Sequence, residues 1–285
     1  MGESRSLWPD APEALPRPVV DNHCHLDHRI KNGERLEPAD ALAEAASVGV
    51  TRIVQVGTDL DSSRWSVDAA RRFPSVVATV ALHPNDAPRL AEKGEYDDAM
   101  AEIAELAADP HVRAVGETGL DYFRTGADGR DAQEQSFRDH IRLAHELDRT
   151  LMIHDRDAHE DILRVLDDEG VPSRTVMHCF SGDAEFARQC VARGAYLSFS
   201  GTVTFKNAQN VRDGLAEAPR DRVLVETDAP FLTPEPHRGR PNASFLIPLT
   251  VRFMAGIVGV SVEDMCNDIR ENTELAFGGT WPEWV

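Results

Sequence analysis

Eight short apolar runs, each rich in β-branched residues, recur along the sequence with helix-like segments between them. They occupy residues 19–26, 52–58, 76–83, 112–119, 150–156, 174–180, 195–201 and 222–229. Nearly continuous apolar strands that alternate with amphipathic helices are typical of a parallel sheet covered on both faces. Eight such units in about 260 residues predict an α/β protein with a single (β/α)₈ TIM barrel.

The segments between the runs favour the same architecture. The spacing of apolar residues predicts helices at residues 39–48, 133–147 and 158–168. Strand-to-helix connections, notably 84–94, 119–131 and 230–244, are longer than helix-to-strand ones. TIM barrels carry their long loops at the carboxyl ends of the strands, where their active sites are built. An open doubly wound sheet is the alternative, but the first run ends in His-Cys-His rather than in a glycine-rich turn.

Residues 1–18 contain four prolines and little periodicity. We expect them to form an irregular N-terminal tail that is disordered or loosely packed, with Trp8 and Leu15 able to dock on the body. Residues 19–285 are then one barrel domain.

The charge balance limits how the chain can meet nucleic acid. It has 30 basic and 49 acidic side chains, a net charge of −19. Long-range repulsion of phosphate therefore excludes a protein that coats nucleic acid non-specifically. A polyanionic substrate has to be bound at a local site, which we expect to contain metal.

Composition also bears on the compartment. No apolar run approaches the roughly 18 residues of a membrane span, and the first residues lack a secretory pattern. The four cysteines, Cys24, Cys179, Cys190 and Cys266, are far apart and form no CxxC pair. These features predict a cytoplasmic protein with reduced thiols, no membrane association and no obligate protein partner.

Side chains that can ligate metal cluster at the carboxyl ends of five predicted strands. They are His23, His25, Glu117, His154, His178 and Asp228. Because residues i and i+2 of a strand point to the same side, His23 and His25 can both face the barrel axis. A lone histidine at a strand end is usually just hydrogen-bonded and partly buried, but six such residues at one end of a barrel favour a metal centre. Nitrogen and oxygen ligands suit Zn²⁺, Mn²⁺, Co²⁺, Ni²⁺ or Mg²⁺.

Six ligands are too many for one tetrahedral ion. They suit two divalent ions per chain that share a carboxylate, as in two-metal hydrolases, which hold a water or hydroxide as the nucleophile. Cys24 and Cys179 neighbour ligands in sequence, but strand alternation predicts that both turn away from the axis into the core.

Five segments resemble the TatD-related metal-dependent deoxyribonucleases, which are barrel hydrolases of the amidohydrolase superfamily. They are DNHCHLD (21–27), VGETGLDY (115–122), MIHDRDAHEDIL (152–163), MHCFSGD (177–183) and LVETDAPFLTPEPHRGRPN (224–242). The resemblance spans roughly residues 19–277, with the motifs in family order. It implies that His23, His25, Glu117 and Asp228 hold one ion. It also implies that Glu117, His154 and His178 hold the second, with Glu117 bridging and Asp228 orienting or deprotonating the attacking water.

Other residues near the predicted mouth have weaker assignments. Glu226 lies two residues before Asp228 and is expected to orient a ligand. Five residues could contact substrate, with partial burial or an exposed loop as the alternative: His83, Arg156, His237, Arg238 and Arg240. His28 is interpreted as a loop residue. The remaining histidines, His111, His140, His145 and His159, are expected at the surface.

We considered three functions. The first is a divalent-metal-dependent deoxyribonuclease, an exonuclease that takes single-stranded DNA ends into a cleft, since no sequence-reading DNA-binding motif is present. The second is a hydrolase of the same architecture acting on an ester or amide bond, such as an aminoacyl-tRNA deacylase. The third is a non-catalytic binding barrel, which would require ligand loss. The family resemblance favours the first.

Overall fold

The computed structural model describes residues 7–279 and 281. Eight parallel strands form one sheet in the order of the sequence. The strands are β1 (Val19–Cys24), β2 (Val50–Val56), β3 (Val76–Val80), β4 (Val112–Asp121), β5 (Thr150–Arg156), β6 (Thr175–Met177), β7 (Tyr196–Phe199) and β8 (Val223–Val225). The predicted (β/α)₈ barrel is confirmed.

Ten α-helices in the described residues cover the outside of the sheet. They are α1 (Pro38–Ser47), α2 (Leu60–Arg72), α3 (Ala87–Lys93), α4 (Tyr96–Ala107), α5 (Ala127–Glu146), α6 (His159–Glu169), α7 (Ala184–Ala192), α8 (Gln209–Glu217), α9 (Ile247–Val258) and α10 (Val262–Phe277). Within the described residues, no single helix has the length and apolarity of a membrane span. Among these residues, only the segment 244–258 and helix α10 taken together are long and apolar enough for a span, and the two are bent by 106° relative to each other.

The sequence prediction placed two helices imperfectly. Helix α5 begins at Ala127, six residues before the predicted start at Gln133, because its first turns are polar and exposed and carry no apolar stripe. Helix α3 lies inside the segment 84–94, which was expected to be a loop. It is only seven residues long, begins with Ala87-Pro88 and buries Ala87 alone, so its apolar spacing is too weak to predict a helix.

Side chains join the last strand to the first. In the described residues β8 and β1 are not paired with each other, and one isolated bridge joins Cys24 of β1 to Ala229, four residues beyond the end of β8. The fully buried Asp21 accepts hydrogen bonds from the backbone and hydroxyl of Thr227 (2.9 and 2.6 Å) and from Ser244 Oγ (2.7 Å). Asn22 Nδ2 donates to the Val225 carbonyl at 2.9 Å. These buried polar contacts close the barrel where strand pairing is sparse.

Residues 7–18 contain no helix or strand, but they are packed on the body. Leu15 is buried and its N–H donates to the Val48 carbonyl at 2.9 Å. Trp8 is partly buried against the core. The side chain of Arg240 donates to the carbonyls of Leu7 (3.1 Å) and Trp8. This part of the tail is therefore attached at several points rather than loosely packed.

His140 on α5 is fully buried, so its expected surface position was wrong. Its Nδ1–H donates to the Ser136 carbonyl at 2.7 Å, and its Nε2 accepts from the Leu82 N–H at 3.1 Å. The imidazole is therefore neutral, and a proton on Nε2 would break the second bond. Burial lowers the pKa of His140 to about 4.

This buried imidazole makes folding sensitive to acid. The unfolded chain protonates His140 near pH 6.5 and the folded chain only near pH 4. Stability is therefore present above pH 6.5 and is lost as the pH falls towards 4, by about 3 kcal/mol in all. We expect His140→Gln to be less stable than the parent at pH 7 but to lose about 2 kcal/mol less between pH 6.5 and 5. Urea unfolding of both proteins at the two pH values measures this, and parallel pH dependences would contradict it.

Candidate metal centre

A pocket of about 690 Å³ opens at the carboxyl ends of the strands. Five of the six predicted ligands line it: His25, Glu117, His154, His178 and Asp228. The sixth, His23, is fully buried beside His25. The structure therefore brings all six residues together, although they lie up to 205 positions apart in the chain, from 23 to 228.

The first donor set comprises His23 Nε2, His25 Nε2, Asp228 Oδ1 and Glu117 Oε2. The two imidazole nitrogens lie 3.3 Å apart, and Asp228 Oδ1 lies 3.7 and 3.4 Å from them. Glu117 Oε2 lies 3.5 Å from His23 Nε2. Four lone-pair atoms that converge so closely repel one another unless a cation or proton lies between them. The set fits a divalent ion.

The second donor set comprises Glu117 Oε1, His154 Nδ1 and His178 Nε2. Glu117 Oε1 lies 2.6 Å from His154 and 3.3 Å from His178. Glu117 therefore directs one oxygen to each set. This is the geometry expected of a carboxylate that bridges two ions, since a ligating imidazole offers only one lone pair.

Local backbone geometry carries Glu117 to this position. Glu117 lies in β4, and two residues later Gly119 has a φ of +133°. A Cβ on Gly119 would lie 2.1 Å from the carbonyl oxygen of His154 in β5. Only glycine permits β4 and β5 to approach so closely at the level of the ligands.

Further groups orient the imidazoles. His25 Nδ1 lies 3.1 Å from the Val56 carbonyl, so this nitrogen carries the proton and Nε2 keeps its lone pair for an ion. His178 Nδ1 lies 2.9 Å from Glu226 Oε1, which is an ion-pair contact, and the same oxygen accepts a hydrogen bond from the Cys179 N–H at 3.0 Å. Glu226 thus lies in contact with a predicted ligand, as an orienting residue has to.

Asp228 has a strained backbone. Strand β8 ends at Val225, and Asp228 adopts a φ of +56°, which is uncommon for a residue other than glycine. Its N–H donates to the His23 carbonyl at 2.9 Å, which holds it beside β1. Non-glycine residues held in this conformation occur often at functional sites.

Charges within the two donor sets shift each other's pKa values. Burial disfavours protonation of His25, but the Asp228 carboxylate outweighs burial and raises the pKa to about 8. Burial also disfavours protonation of His154, but Asp121 and Glu117 outweigh burial and raise its pKa to about 9. Burial disfavours the Glu117 carboxylate, but the surrounding imidazoles hold its pKa well below the usual range. The cluster therefore favours ionised carboxylates beside readily protonated imidazoles at His25 and His154, whereas burial lowers the pKa of His23.

Asp121 is a site residue that the sequence reasoning missed. Its Oδ2 lies 3.3 Å from His154 Nε2 and accepts a hydrogen bond from Asn85 Nδ2 at 3.0 Å. Asp121 follows Glu117 by four positions in the same strand. Strand alternation therefore puts both on one side, and this signal was available in the sequence.

The residues assigned to substrate contact divide into two groups. His83 and Arg156 line the pocket, and His83 Nε2 lies 3.4 Å from Glu117 Oε1. The other three, His237, Arg238 and Arg240, do not line it. The guanidinium of Arg238 lies 3.5 Å from the centre of the Phe205 ring. The guanidinium of Arg240 donates to the carbonyls of Leu7 and Trp8, so it is directed to the N-terminal tail and not to the pocket, contrary to its expected substrate contact.

Cys179 also differs from expectation. Strand β6 ends at Met177, and a φ of +44° at Cys179 breaks the alternation that would have turned it into the core. It is only partly buried and lines the pocket, although burial raises the thiol pKa to about 12. Cys24 is fully buried as expected.

The chain is similar to known metal-dependent hydrolases. The profile of the TatD related DNase family matches residues 20–278. The chain belongs to this family. The uncharacterized metal-dependent hydrolase TatD of Mycobacterium tuberculosis is 43% identical over 268 residues, which cover 92% of this chain and 99% of the relative. The metal-dependent hydrolase YcfH of Escherichia coli K12 is 38% identical, covering 91% and 95%.

A solved TatD-family structure shares the fold. The TatD homologue YjjV of Escherichia coli K12 superposes with a TM-score of 0.82 at 26% identity, covering 91% of this chain and 97% of that one. The names of the sequence relatives describe metal-dependent hydrolases. Together with the groups of potential metal ligands around Glu117, these likenesses show that the protein is a metal-dependent hydrolase of the TatD family.

Proposed function

We propose that this hydrolase is a deoxyribonuclease that cleaves phosphodiester bonds at unpaired ends of DNA with two divalent ions. The observation that carries the proposal is the position of Glu117, with one oxygen 3.5 Å from His23 and the other 2.6 Å from His154. A pair of ions on such a carboxylate suits the oxygens of a phosphodiester. Arg124 and Arg156 line the same pocket and offer guanidinium groups to phosphate in an otherwise acidic protein.

Different side chains have different roles in the proposed reaction. Bound in the two donor sets, the ions would polarise the phosphate and lower the pKa of the attacking water. Asp228 remains ionised, because the nearby His25, His178 and His23 outweigh the effect of burial and lower its pKa. It can therefore orient that water and accept its proton. Glu226 and the Val56 carbonyl hold two imidazoles in the orientation that binding requires.

The alternative is a hydrolase of an ester or amide bond, such as an aminoacyl-tRNA deacylase. The same donor sets serve both reactions, since each needs an activated water and a polarised acceptor oxygen. The two pocket arginines favour the phosphodiester, because a guanidinium binds phosphate oxygens in pairs. Free cysteines at all four positions suit a reducing compartment, and we propose that the enzyme acts in the cytoplasm.

One set of assays tests the proposal. Purified protein is incubated with each of five divalent ions (Zn²⁺, Mn²⁺, Co²⁺, Ni²⁺ and Mg²⁺) and with 3′- or 5′-labelled single-stranded DNA. Duplex DNA, an aminoacyl-tRNA and a cyclic amide are assayed in parallel. We expect stepwise shortening of the single strand, slower attack on blunt duplex, and loss of activity in His154→Ala. Hydrolysis of the aminoacyl-tRNA or cyclic amide without any DNA cleavage would overturn the proposal.

Protons and metal ions should compete for the ligand imidazoles. An imidazole must lose its proton to bind an ion, and His25 and His154 hold theirs up to pH values of about 8 and 9. At limiting metal, activity should therefore begin to fall as the pH drops below about 8, above the ordinary histidine range near 6.5. Excess metal should move this decline to lower pH. Activity measured over pH 5–9 at several metal concentrations tests this. A decline at the same pH whatever the metal concentration would contradict it.

A further inference from the structure

Two phenylalanine rings are exposed beside the pocket. Phe123, in the turn after β4, has 64% of its surface exposed, and Phe231, after β8, has 48%. Phe231 lines the pocket. Phe123 lies against Arg156, which also lines it, with the guanidinium carbon 3.8 Å from the ring centre. Single exposed apolar side chains are ordinary, but two beside one polar cleft require an explanation.

The backbone around Phe123 is well held. The Tyr122 N–H donates to the Arg156 carbonyl at 2.9 Å, which extends the pairing of β4 with β5. The Arg124 N–H donates to Asp121 Oδ1 at 2.9 Å. Phe123 therefore lies in a fixed turn, next to the aspartate that contacts the second donor set. Its exposure does not arise from a loosely attached loop.

Phe231 is held in a comparable way beside the first donor set. Its N–H donates to the Asp228 carbonyl at 2.8 Å, and its carbonyl accepts from Asn242 Nδ2 at 2.6 Å. Its ring centre lies 5.5 Å from that of His28 and 6.4 Å from that of His25, both near perpendicular. These edge contacts leave 48% of the residue open to solvent.

We propose that these two rings are stacking platforms for the bases on either side of the scissile phosphate. Phe231 receives the base next to the first donor set, and Phe123 with Arg156 receives the base next to the second. Aromatic rings stack on any base, so they bind unpaired strands without reading sequence. Bases within a duplex are already stacked and paired. The inference rests on the proposed nuclease function and adds the two side chains that would hold the unpaired bases.

Charge makes such platforms useful to this protein. Proteins that bind single strands usually combine stacking with a strongly positive groove. This chain has a net charge of −19 and offers two arginines, Arg124 and Arg156, in the pocket. Counterion release can therefore supply little affinity, whereas stacking on an uncharged ring does not depend on salt. Loss of a ring should weaken binding without changing its salt dependence.

The test pairs variants of the protein with variants of the substrate. Phe231→Ala and Phe123→Ala are loaded with the ion that supports highest activity and assayed on single-stranded DNA. The same oligonucleotide is also prepared with an abasic site on one side or the other of the cleaved bond. The control is Phe253→Ala, because Phe253 is exposed on α9 and does not line the pocket.

Each platform variant should raise KM for the intact strand about 5- to 100-fold, with kcat and the salt dependence of binding little changed. Each should lose its effect on the oligonucleotide that lacks the matching base, because the ring of the parent enzyme then has no base to stack on. Phe231→Trp and Phe123→Trp should recover the parent KM. In the parent enzyme the abasic sites alone should raise KM by similar factors.

The outcomes separate this inference from the proposed function. A parent enzyme that cleaves single strands, but whose KM is indifferent to both phenylalanines and to both abasic sites, would overturn the stacking inference and leave the nuclease proposal standing. Equal losses for either ring variant on intact and abasic strands would also overturn it. A parent enzyme that cleaves no oligonucleotide with any ion would overturn both.

Discussion

The Glu117→Ala protein should lose both ions together and at least about a thousandfold in turnover. Glu117 supplies an oxygen to each donor set, at 3.5 Å from His23 and 2.6 Å from His154. Its removal leaves both sets short of a ligand and takes away the one carboxylate that the two sets share. His154→Ala removes a ligand from the second set alone, so about one ion per chain should remain. Metal analysis after dialysis and an assay at fixed metal concentration measure both effects.

Two controls accompany Glu117→Ala. Glu117→Gln keeps the shape of the side chain but not its charge, and should also lose most bound metal. Glu160→Ala removes an exposed carboxylate from the first turn of α6 and should behave like the parent. Circular dichroism and thermal melts establish that each variant is folded. Two tightly bound ions and near-normal turnover in Glu117→Ala would show that Glu117 does not bridge.

The Asp228→Asn protein should lose about 10²- to 10⁴-fold in kcat even at saturating metal, the usual contribution of a positioned proton acceptor. The amide keeps the size of the side chain and can still offer one oxygen at the position 3.4 Å from His25 Nε2. Metal affinity should therefore weaken but be restored by excess metal. The amide cannot accept a proton from water, so kcat should not recover. A metal titration followed to saturation at each pH separates the two roles.

The comparison of kcat with KM decides the assignment of Asp228. KM for the substrate should change little, because Asp228 acts on the water. Asp97→Asn, in the exposed first turn of α4, provides a matched substitution far from the pocket lining. If kcat of Asp228→Asn returned to within a factor of ten of the parent at saturating metal, Asp228 would be a ligand only, and another group would accept the proton.

Most of the fold could be predicted from apolar residues that recur at short intervals along the sequence. All eight strands were predicted, because strands buried on both faces read as apolar runs whatever their partners. The three-residue strands β6 and β8 were predicted too long. Their apolar runs continue into the ligand-bearing residues, which lie beyond the regular strands and include left-handed backbones at Cys179 and Asp228. No propensity argument predicts a left-handed cysteine or aspartate there.

The ligand residues were predictable because each stands at the end of a recognisable strand. The partners that surround them depend on contacts that strand periodicity does not encode. Asp21 has the same type of local pattern as many strand residues, and only the closed barrel brings it to Thr227. The 230–244 loop could not be oriented, so Arg240 was assigned to the mouth although it contacts the N-terminal segment. His140 was misplaced because a buried imidazole on a helix looks like a polar surface residue.

The joint between β8 and β1 has a consequence for how the chain is made. Asp21 is among the first barrel residues to be synthesised, yet its donors Thr227 and Ser244 come more than 200 residues later. At about 5–20 residues per second, the first strand waits on the order of ten seconds or more for its last neighbour. A nascent chain that stops before residue 227 has no closed wall and would bury an aspartate without its hydrogen bonds. The barrel can therefore reach its native form only when nearly the whole chain has left the ribosome. Until then the early strands can pair with one another in sequence order, but the outer edge of β1 has to remain unpaired or be shielded.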